Sequence, residues 1–410
     1  MSLELMDAGR SEAGFSRVGT AFLCTQLWSY GELLQLDDVT GNRDPLHRGS
    51  LVHTGEAHYW EALRRQQALG RAVAEGQTVG QARAAMPLPE SLYDPVSAIH
   101  RHAEAMRADG IPVKDEIAAI SARTMGDLVV EHNLVREKPI VVSVEQEYRA
   151  LMETGALTGE QPEVRVWAEH TILAQLDAHG LTLYVDPDVP FLRTVGPKVA
   201  AHRSRGMNGY SGPTEFYLYT QRIDLVTWEP CAGMLTAEGE PVYDLVISDH
   251  KTTNSYRTGA FGTIKAYSMH GQFWGLRLLG ELYYPELARQ NRIKLRINII
   301  QMPIKGKKTT WIEEPPEPAP WRESRHWRNV HDMYTRLRGL IDSGRDPWDF
   351  PATGHEMGCM EKRYGRCGAW ELCQGGKASL MVVRTKAMGL LPASERGADN
   401  ERAFSPFPFS

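Results

Sequence analysis

Cysteine is scarce in this chain: Cys24, Cys231, Cys359, Cys367 and Cys373 are the five in 410 residues. So odd and sparse a set excludes the disulfide framework of a small secreted domain. Long apolar runs are missing too. None approaches the roughly 20 residues that a membrane-spanning helix needs. The opening MSLELMDAGRSEAG has no apolar signal core, so the expectation is a cytoplasmic protein with no membrane partner. Positive charge is not in excess, with a formal net charge of −5 and a sequence pI near 6.3. A uniformly basic nucleic-acid binder is thereby excluded, whereas a local basic groove is not. No internal repeat is present.

What remains is globular material in which helical and strand-like stretches are mixed, so an α/β fold is expected. Helices are expected over 21–36, 49–69 and 115–136, with the Ala-rich and charged segment 70–114 helical in pieces around PLPES. Strand-like pieces follow: IVVSVEQEY, LTLYVDPDV and EFYLYTQRIDLVTW, then 242–251 and 293–302. A helix is expected over about 261–284 and another over about 322–343. Between them EEPPEPAP, with four prolines in eight residues, precludes regular structure. The organisation that follows is a loose lead-in at 1–19 and a helical part at 20–136 carrying Cys24 and His53. A core at 137–312 has an insertion at about 152–213. A helix and cysteine cluster occupy 313–375, and a tail 376–410.

YDLVISDHKTTNSY, residues 243–256, begins as the middle of a sheet and ends in charge. Side chains two apart in a strand share a face, so Leu245, Ile247, Asp249 and Lys251 line one side. The first two suit a core, and the last two stand where the strand leaves it. The preceding strand carries Asp224, which a hairpin connection brings beside Asp249. Two neighbouring carboxylates repel, and a hard divalent cation keeps both ionised. A lysine beside them positions a water or neutralises charge on a phosphorane-like transition state. The pattern therefore suits phosphodiester hydrolysis.

Two further residues fit that chemistry. His53, in RGSLVHTGEAHYWEAL, lies on a helical pattern that continues through Ala57 and Trp60 and offers an imidazole ligand. Gln272 shares a helix side with Leu276, Leu279 and Tyr283 and offers an amide near the leading end of the helix.

The order GSLVH, QRID, ISDHKT and QFWGLRLLGELYY resembles the PD-(D/E)XK nuclease superfamily, in its RecB-like exonuclease branch with CRISPR-associated and phage members. That resemblance implies a restriction-endonuclease-like core, a mixed sheet flanked by helices, with a helical N-terminal part and insertions. It implies Mg²⁺ or Mn²⁺ held by His53, Asp224, Asp249 and the carbonyl oxygen of His250. Lys251 takes the catalytic lysine role and Gln272 that of the motif glutamine. Two departures stand out: Gln221 occupies the usual glycine position before the first aspartate, and Leu276 that of a frequent tyrosine. An upstream glutamate completes many such sites; Glu145, Glu147 and Glu215 compete for it, with Glu145 preferred.

Cys359, Cys367 and Cys373 fall within fifteen residues, while Cys24 stands more than 300 residues earlier. Four thiolates suit Zn²⁺ or an iron–sulfur cluster, and the wide gaps favour the bulkier [4Fe–4S]. A subset of the RecB-like nucleases has a similar one-plus-three arrangement, from which this chain departs in a first C-terminal gap longer than the usual two residues; the resemblance implies a cluster clasping the two ends of the nuclease domain. Cys231 is expected to be structural.

The tract 289–308 has seven Lys or Arg and no acid, and Arg193, Lys198, Arg203 and Arg205 form a second acid-free segment. Both suit phosphate backbones, with Tyr210, Trp311, Trp321 and Trp327 as stacking platforms for unpaired bases. The expectation is a metal-dependent, sequence-independent DNA exonuclease of recombination, repair or phage DNA processing. Its partner is single-stranded or end-containing DNA, and a homo-oligomer or a recombination partner is compatible with it. A structure-specific or restriction-type endonuclease and a non-catalytic DNA-binding recombination subunit are the alternatives.

Overall fold

The computed structural model describes residues 44–86, 94–155 apart from 109 and 136, 163–168, 215–253, 271–301 and 310–314, with shorter stretches within 20–29, 36–38, 329–351 and 381–383. In chain order the first elements are α1 (Thr25–Trp28), β1 (Leu36–Asp38), α2 (Asp44–Ala74), α3 (Val79–Ala85), α4 (Pro95–Ala108) and α5 (Asp115–Leu134). Strands β2 (Ile140–Gly155), β3 (Glu163–Ala168), β4 (Glu215–Leu235) and β5 (Pro241–Thr253) follow. Then come α6 (Gly271–Tyr283), α7 (Pro285–Arg289), β6 (Ile293–Gln301), β7 (Thr310–Glu314) and β8 (Met381–Val383). The fold is mixed α/β, a multi-strand sheet with helices. Among the described residues no helix is long and apolar enough to cross a membrane.

The chain forms two compact units. The first gathers Met1–Gly41, Glu147–Gln221 and Pro318–Ala387; the second gathers Asn42–Gln146, Arg222–Glu317 and Met388–Ser410. In the first, β1 pairs antiparallel with β8, Leu36 opposite Val383, and the outer half of β2 pairs antiparallel with β3. Ala21, Leu337 and Phe350 are buried together there. The expected helix over 21–36 stops short, because by Leu36 the backbone is committed to that ladder.

In the second unit the strands lie in the order β2-β4-β5-β6-β7. β4 and β5 are antiparallel, β5 and β6 parallel, and β6 and β7 antiparallel. The helix expected over 49–69 is longer at both ends. It starts at Asp44, since Pro45 is tolerated in a first turn where its missing N–H is not needed. It ends before Gly76, whose φ of 96° suits only a residue without a Cβ. The helix expected over 115–136 is α5, and the strands expected at 242–251 and 293–302 are β5 and β6.

The two faces of β5 are covered by different helices. On the face of Ile247, helix α6 approaches so closely that a Cβ at Gly280 would come within 2.5 Å of Ile247 Cδ1. On the opposite face lies α2. Its Gly49 sits beside Thr252, and its Ala57 and Trp60 pack on Leu225, Val141 and Val144. Leu51 and Val52 of the same helix join Ile300, Ile99, Met125 and Leu128 in the main helical core.

Candidate active site

The candidate site is a fork between β4 and β5. Their ladder runs from Leu235 opposite Pro241, through an irregularity between Leu235 and Pro230, to Leu225 opposite Ser248, its last pair. One step further along the same register, Asp224 faces Asp249 across the opening strands. The expected adjacency of these two acids is therefore what the hairpin produces. Beyond the fork, the N–H of His250 no longer serves the β4–β5 ladder. It donates instead to Asp224 Oδ2 at 2.7 Å.

Side chains arrive at this fork from both faces. From the α6 side, Gln272 Nε2 donates to Asp249 Oδ1 at 2.6 Å, and Lys251 Nζ lies 2.6 Å from Asp249 Oδ2. The alternation Leu245, Ile247, Asp249, Lys251 thus does what a period of two demands: the inner pair packs and the outer pair meets. From the α2 side, His53 Nδ1 stands 3.8 Å from Asp224 Oδ2. The His53 ring also meets that of His250 edge-on, with centroids 6.0 Å apart. All six residues singled out for catalysis or metal binding are in one place.

The electrostatics divide the acid pair. Burial pushes the Asp249 carboxyl up to about 6, and the Asp224 charge adds to this while Lys251 opposes it. Burial also works against ionisation of Asp224, but His53, His250 and Lys251, with the His250 amide bond, hold its carboxyl below the ordinary range. Burial keeps the His250 ring neutral, down to about 4, although Glu56 and Asp224 pull it upward. One firmly ionised acid therefore faces one poised near neutrality, and added positive charge would favour ionisation of both.

Among the described residues no group of three or more His, Cys, Asp and Glu converges tightly enough to hold a metal as it stands. The donor chemistry nonetheless suits a hard cation: two carboxylates and an imidazole. Two donors sharing one ion through bonds of about 2.1 Å stand at most about 4.2 Å apart. The 3.8 Å between His53 Nδ1 and Asp224 Oδ2 lies inside that span. Asp249 is turned to Lys251 and Gln272, so completing a ligand set requires it to exchange one of these partners.

Of the competing glutamates, Glu145 is buried on β2 in this unit, with a φ of 48° that is strained for a residue with a side chain. The side chains of Glu147 and Glu215 lie outside the described residues. In the basic tract, Arg296 makes a two-pronged bond to Glu229 at 2.6 and 2.8 Å, and Arg292 lies 3.8 Å from Asp244. Arg289, though exposed, pairs with Glu286 at 2.5 Å, so three of the tract's cations are engaged by the protein's own acids. Lys305, Lys307 and Lys308 are outside the described residues, as are Arg193, Lys198, Arg203, Arg205, Tyr210, Trp321 and Trp327.

Cys24 is buried in the first unit. Cys359, Cys367 and Cys373 lie outside the described residues. Cys231 is half-buried on β4, where burial and Asp244 push its thiol up, a setting that suits a structural residue better than a ligand.

Sequence reasoning missed three residues next to the fork. Glu56 follows His53 by one helical turn, Asn298 is the lone amide within the apolar run of β6, and His132 closes α5. Glu56 carried a signal, since an acid on the apolar side of an amphipathic helix needs a buried partner.

No family model, curated protein or solved structure matches this chain.

Proposed function

We propose that this chain is a divalent-metal-dependent DNA exonuclease with a PD-(D/E)XK core of the RecB-like type. The observation that carries the reading is the convergence of His53, Asp224, Asp249, Lys251 and Gln272 at the fork, from two strands and two helices that span about 220 residues of chain. A convergence of this kind is what a site requires and what scattered surface charges lack.

In this reading Asp224, Asp249, His53 and the His250 carbonyl hold Mg²⁺ or Mn²⁺. The chemistry supplied there, when an ion is bound, would be polarisation of the scissile phosphate and activation of water at neutral pH. The protein's own groups do the rest. Asp224, kept ionised by His53 and the His250 amide, is the permanent anionic ligand. Lys251, about one-fifth exposed, orients the attacking water and offsets charge that develops on the phosphate oxygens. Gln272 fixes the rotamer of Asp249 through one oxygen, and the other, which faces Lys251, would be the one to serve the ion. In the first unit, Cys24, Cys359, Cys367 and Cys373 hold a [4Fe–4S] cluster, with Zn²⁺ as the alternative occupant.

The test is digestion of end-labelled linear single- and double-stranded DNA beside closed circles, with Mn²⁺ or Mg²⁺. Wild-type protein is expected to degrade linear DNA and spare circles. Lys251→Ala, matched for folding, is expected to lose on the order of 10²–10⁴-fold in rate. Nicked or opened circles would move the assignment to an endonuclease. Unchanged cleavage by Lys251→Ala would remove the lysine from the site, and absence of cleavage by wild type would leave a DNA-binding subunit.

A further inference from the structure

Helix α2 carries three glycines, Gly49, Gly55 and Gly70, although glycine is among the poorest helix formers. Two of them stand where a neighbour presses against the helix backbone. At Gly55 a Cβ would meet Met125 Sδ at 2.5 Å and Ile99 Cδ1 at 3.1 Å, in the layer formed with α4 and α5. At Gly49 it would meet Thr252 Oγ1 of β5 at 3.1 Å, whereas at Gly70 it would meet nothing within 4 Å. An approach as tight as that at Gly49 admits a larger side chain only if helix or strand gives way.

Gly49 stands one turn before His53 on the same side of α2, and Thr252 two residues after His250 on the same face of β5. The His53 and His250 rings meet edge-on with centroids 6.0 Å apart, so the two contacts are consecutive rungs between helix and strand. Their spacing matches: four helical residues rise about 6 Å and two strand residues about 6.6 Å. A further rung follows where Ala57 and Trp60 pack on Leu225, Val141 and Val144. His53 is thus held between an apolar anchor on one side and the close approach at Gly49 on the other. Its target lies at the same level, since Asp224 Oδ2 accepts from the His250 N–H at 2.7 Å and stands 3.8 Å from His53 Nδ1. How near α2 comes to β5 there decides whether ring and carboxylate can share one ion.

We propose that Gly49 is a positioning residue: by admitting Thr252 against the helix backbone it seats α2 on the end of β5 and so sets the approach of His53 to Asp224. A side chain at 49 pries the helix from the strand about the Ala57–Trp60 anchor, and His53, lying between the two, moves away from the carboxylate. The consequence for metal rests on the reading of His53 and Asp224 as metal ligands. The meeting of the His53 and His250 rings, by contrast, is a property of the metal-free protein. Groups one step removed from a metal ligand commonly matter about 10–100-fold for affinity.

The test uses full-length Gly49→Val, with Gly49→Ala in its place if the valine variant does not fold. Two readouts are taken. One is Mn²⁺ binding by calorimetry with the metal alone. The other is the nuclear Overhauser contact between the His53 and His250 ring protons in metal-free, histidine-labelled and otherwise deuterated protein, assigned through His53→Gln and His250→Gln. Gly49→Val is expected to bind Mn²⁺ about 10–100-fold more weakly and to lose the ring contact. Thr252→Ala removes the opposing hydroxyl and methyl; added to Gly49→Val it should restore both readouts toward wild type. Gly70→Val makes the same change on the same helix in open space and should match wild type in both. Wild-type Mn²⁺ affinity in the folded Gly49 variant, a ring contact that persists there or is missing from wild type, no recovery with Thr252→Ala, or an equal loss in Gly70→Val overturns the proposal. If wild type binds no Mn²⁺, the metal-dependent nuclease reading fails separately. The ring contact then decides the positioning role alone: lost in Gly49→Val and regained with Thr252→Ala, it stands; otherwise it falls.

Discussion

A histidine that stays neutral inside a helical layer ties stability to acidity. His102 on α4 is buried, with Nδ1 2.8 Å from the Thr54 hydroxyl oxygen, whose hydrogen goes to the Ser50 carbonyl at 3.0 Å. Burial, with His58 nearby, pushes the His102 ring down to about 4 from an ordinary 6.5. The unfolded chain therefore takes up this proton first as pH falls. Stability from this residue is complete above about pH 6.5 and is lost as pH drops through about 4. At about 1.4 kcal/mol for each tenfold change in proton affinity, the loss is about 3 kcal/mol. Urea denaturation of wild type and His102→Gln, stepped from pH 7 to pH 4, measures it. The advantage of wild type should shrink steadily over that range; a difference that does not change with pH would show that His102 is not held neutral. Thr54 is the neighbour of His53, so this buried pair also steadies the turn of α2 that presents the imidazole to Asp224.

At the scale of elements, the site depends on how closely each helix meets the sheet. Gly280 lets α6 lie against Ile247 and Ile293; a Cβ there would meet Ile247 Cδ1 at 2.5 Å and Ile293 Cγ2 at 3.3 Å. Gly280→Ala is expected to destabilise by about 1–3 kcal/mol, although alanine is the better helix former by about 1 kcal/mol. Gly126 on α5 has open space where its Cβ would be, so Gly126→Ala should stabilise by up to about 1 kcal/mol. Equilibrium denaturation of the two variants tests the contrast, and a stabilised Gly280→Ala would mean that α6 can move off the sheet. The same distinction explains what could be read in advance. The alternation of β5 and the helical spacing from His53 through Ala57 to Trp60 are local periodicities, so the faces carrying Asp249, Lys251 and His53 were legible. The hairpin between β4 and β5 made the Asp224–Asp249 pair legible as well. The bond between Glu56 and His132 spans 76 residues and that between Asn298 and His250 spans 48. Such pairs depend on how layers stack, which no local period encodes. The end of the expected helix before β1 was lost for the same reason, since its limit is set by pairing with β8 near the far end of the chain.

Across the whole chain, the first unit unites segments from near both ends of the described sequence, and contacts within the protein already join them. Thr25 Oγ1 and Gln26 N both donate to the Pro351 carbonyl, while Ala21 packs with Leu337 and Phe350. Cys24 lies inside this junction, and Cys359 follows Pro351 by eight residues. Closing a loop of more than 300 residues carries an entropic cost that grows only slowly with length, and these contacts, with the pairing of β1 and β8, are among those that offset it. A thiolate-bound cluster formed only in the folded state adds its binding free energy to that closure. In the proposed reading, Cys24→Ser, purified without oxygen, is therefore expected to hold less iron than wild type and to speed amide hydrogen exchange in 20–29 and 329–351. Exchange in β5 and β6, within the second unit, should stay slow. Metal analysis and exchange mass spectrometry on the same sample read both effects. Zinc in place of iron would keep the clasp and change its occupant, whereas full metal content in Cys24→Ser would remove Cys24 from the ligand set. Fast exchange spreading into β5 and β6 as well would mean that the clasp supports the site's sheet, and cleavage by the variant should then fall together with its iron.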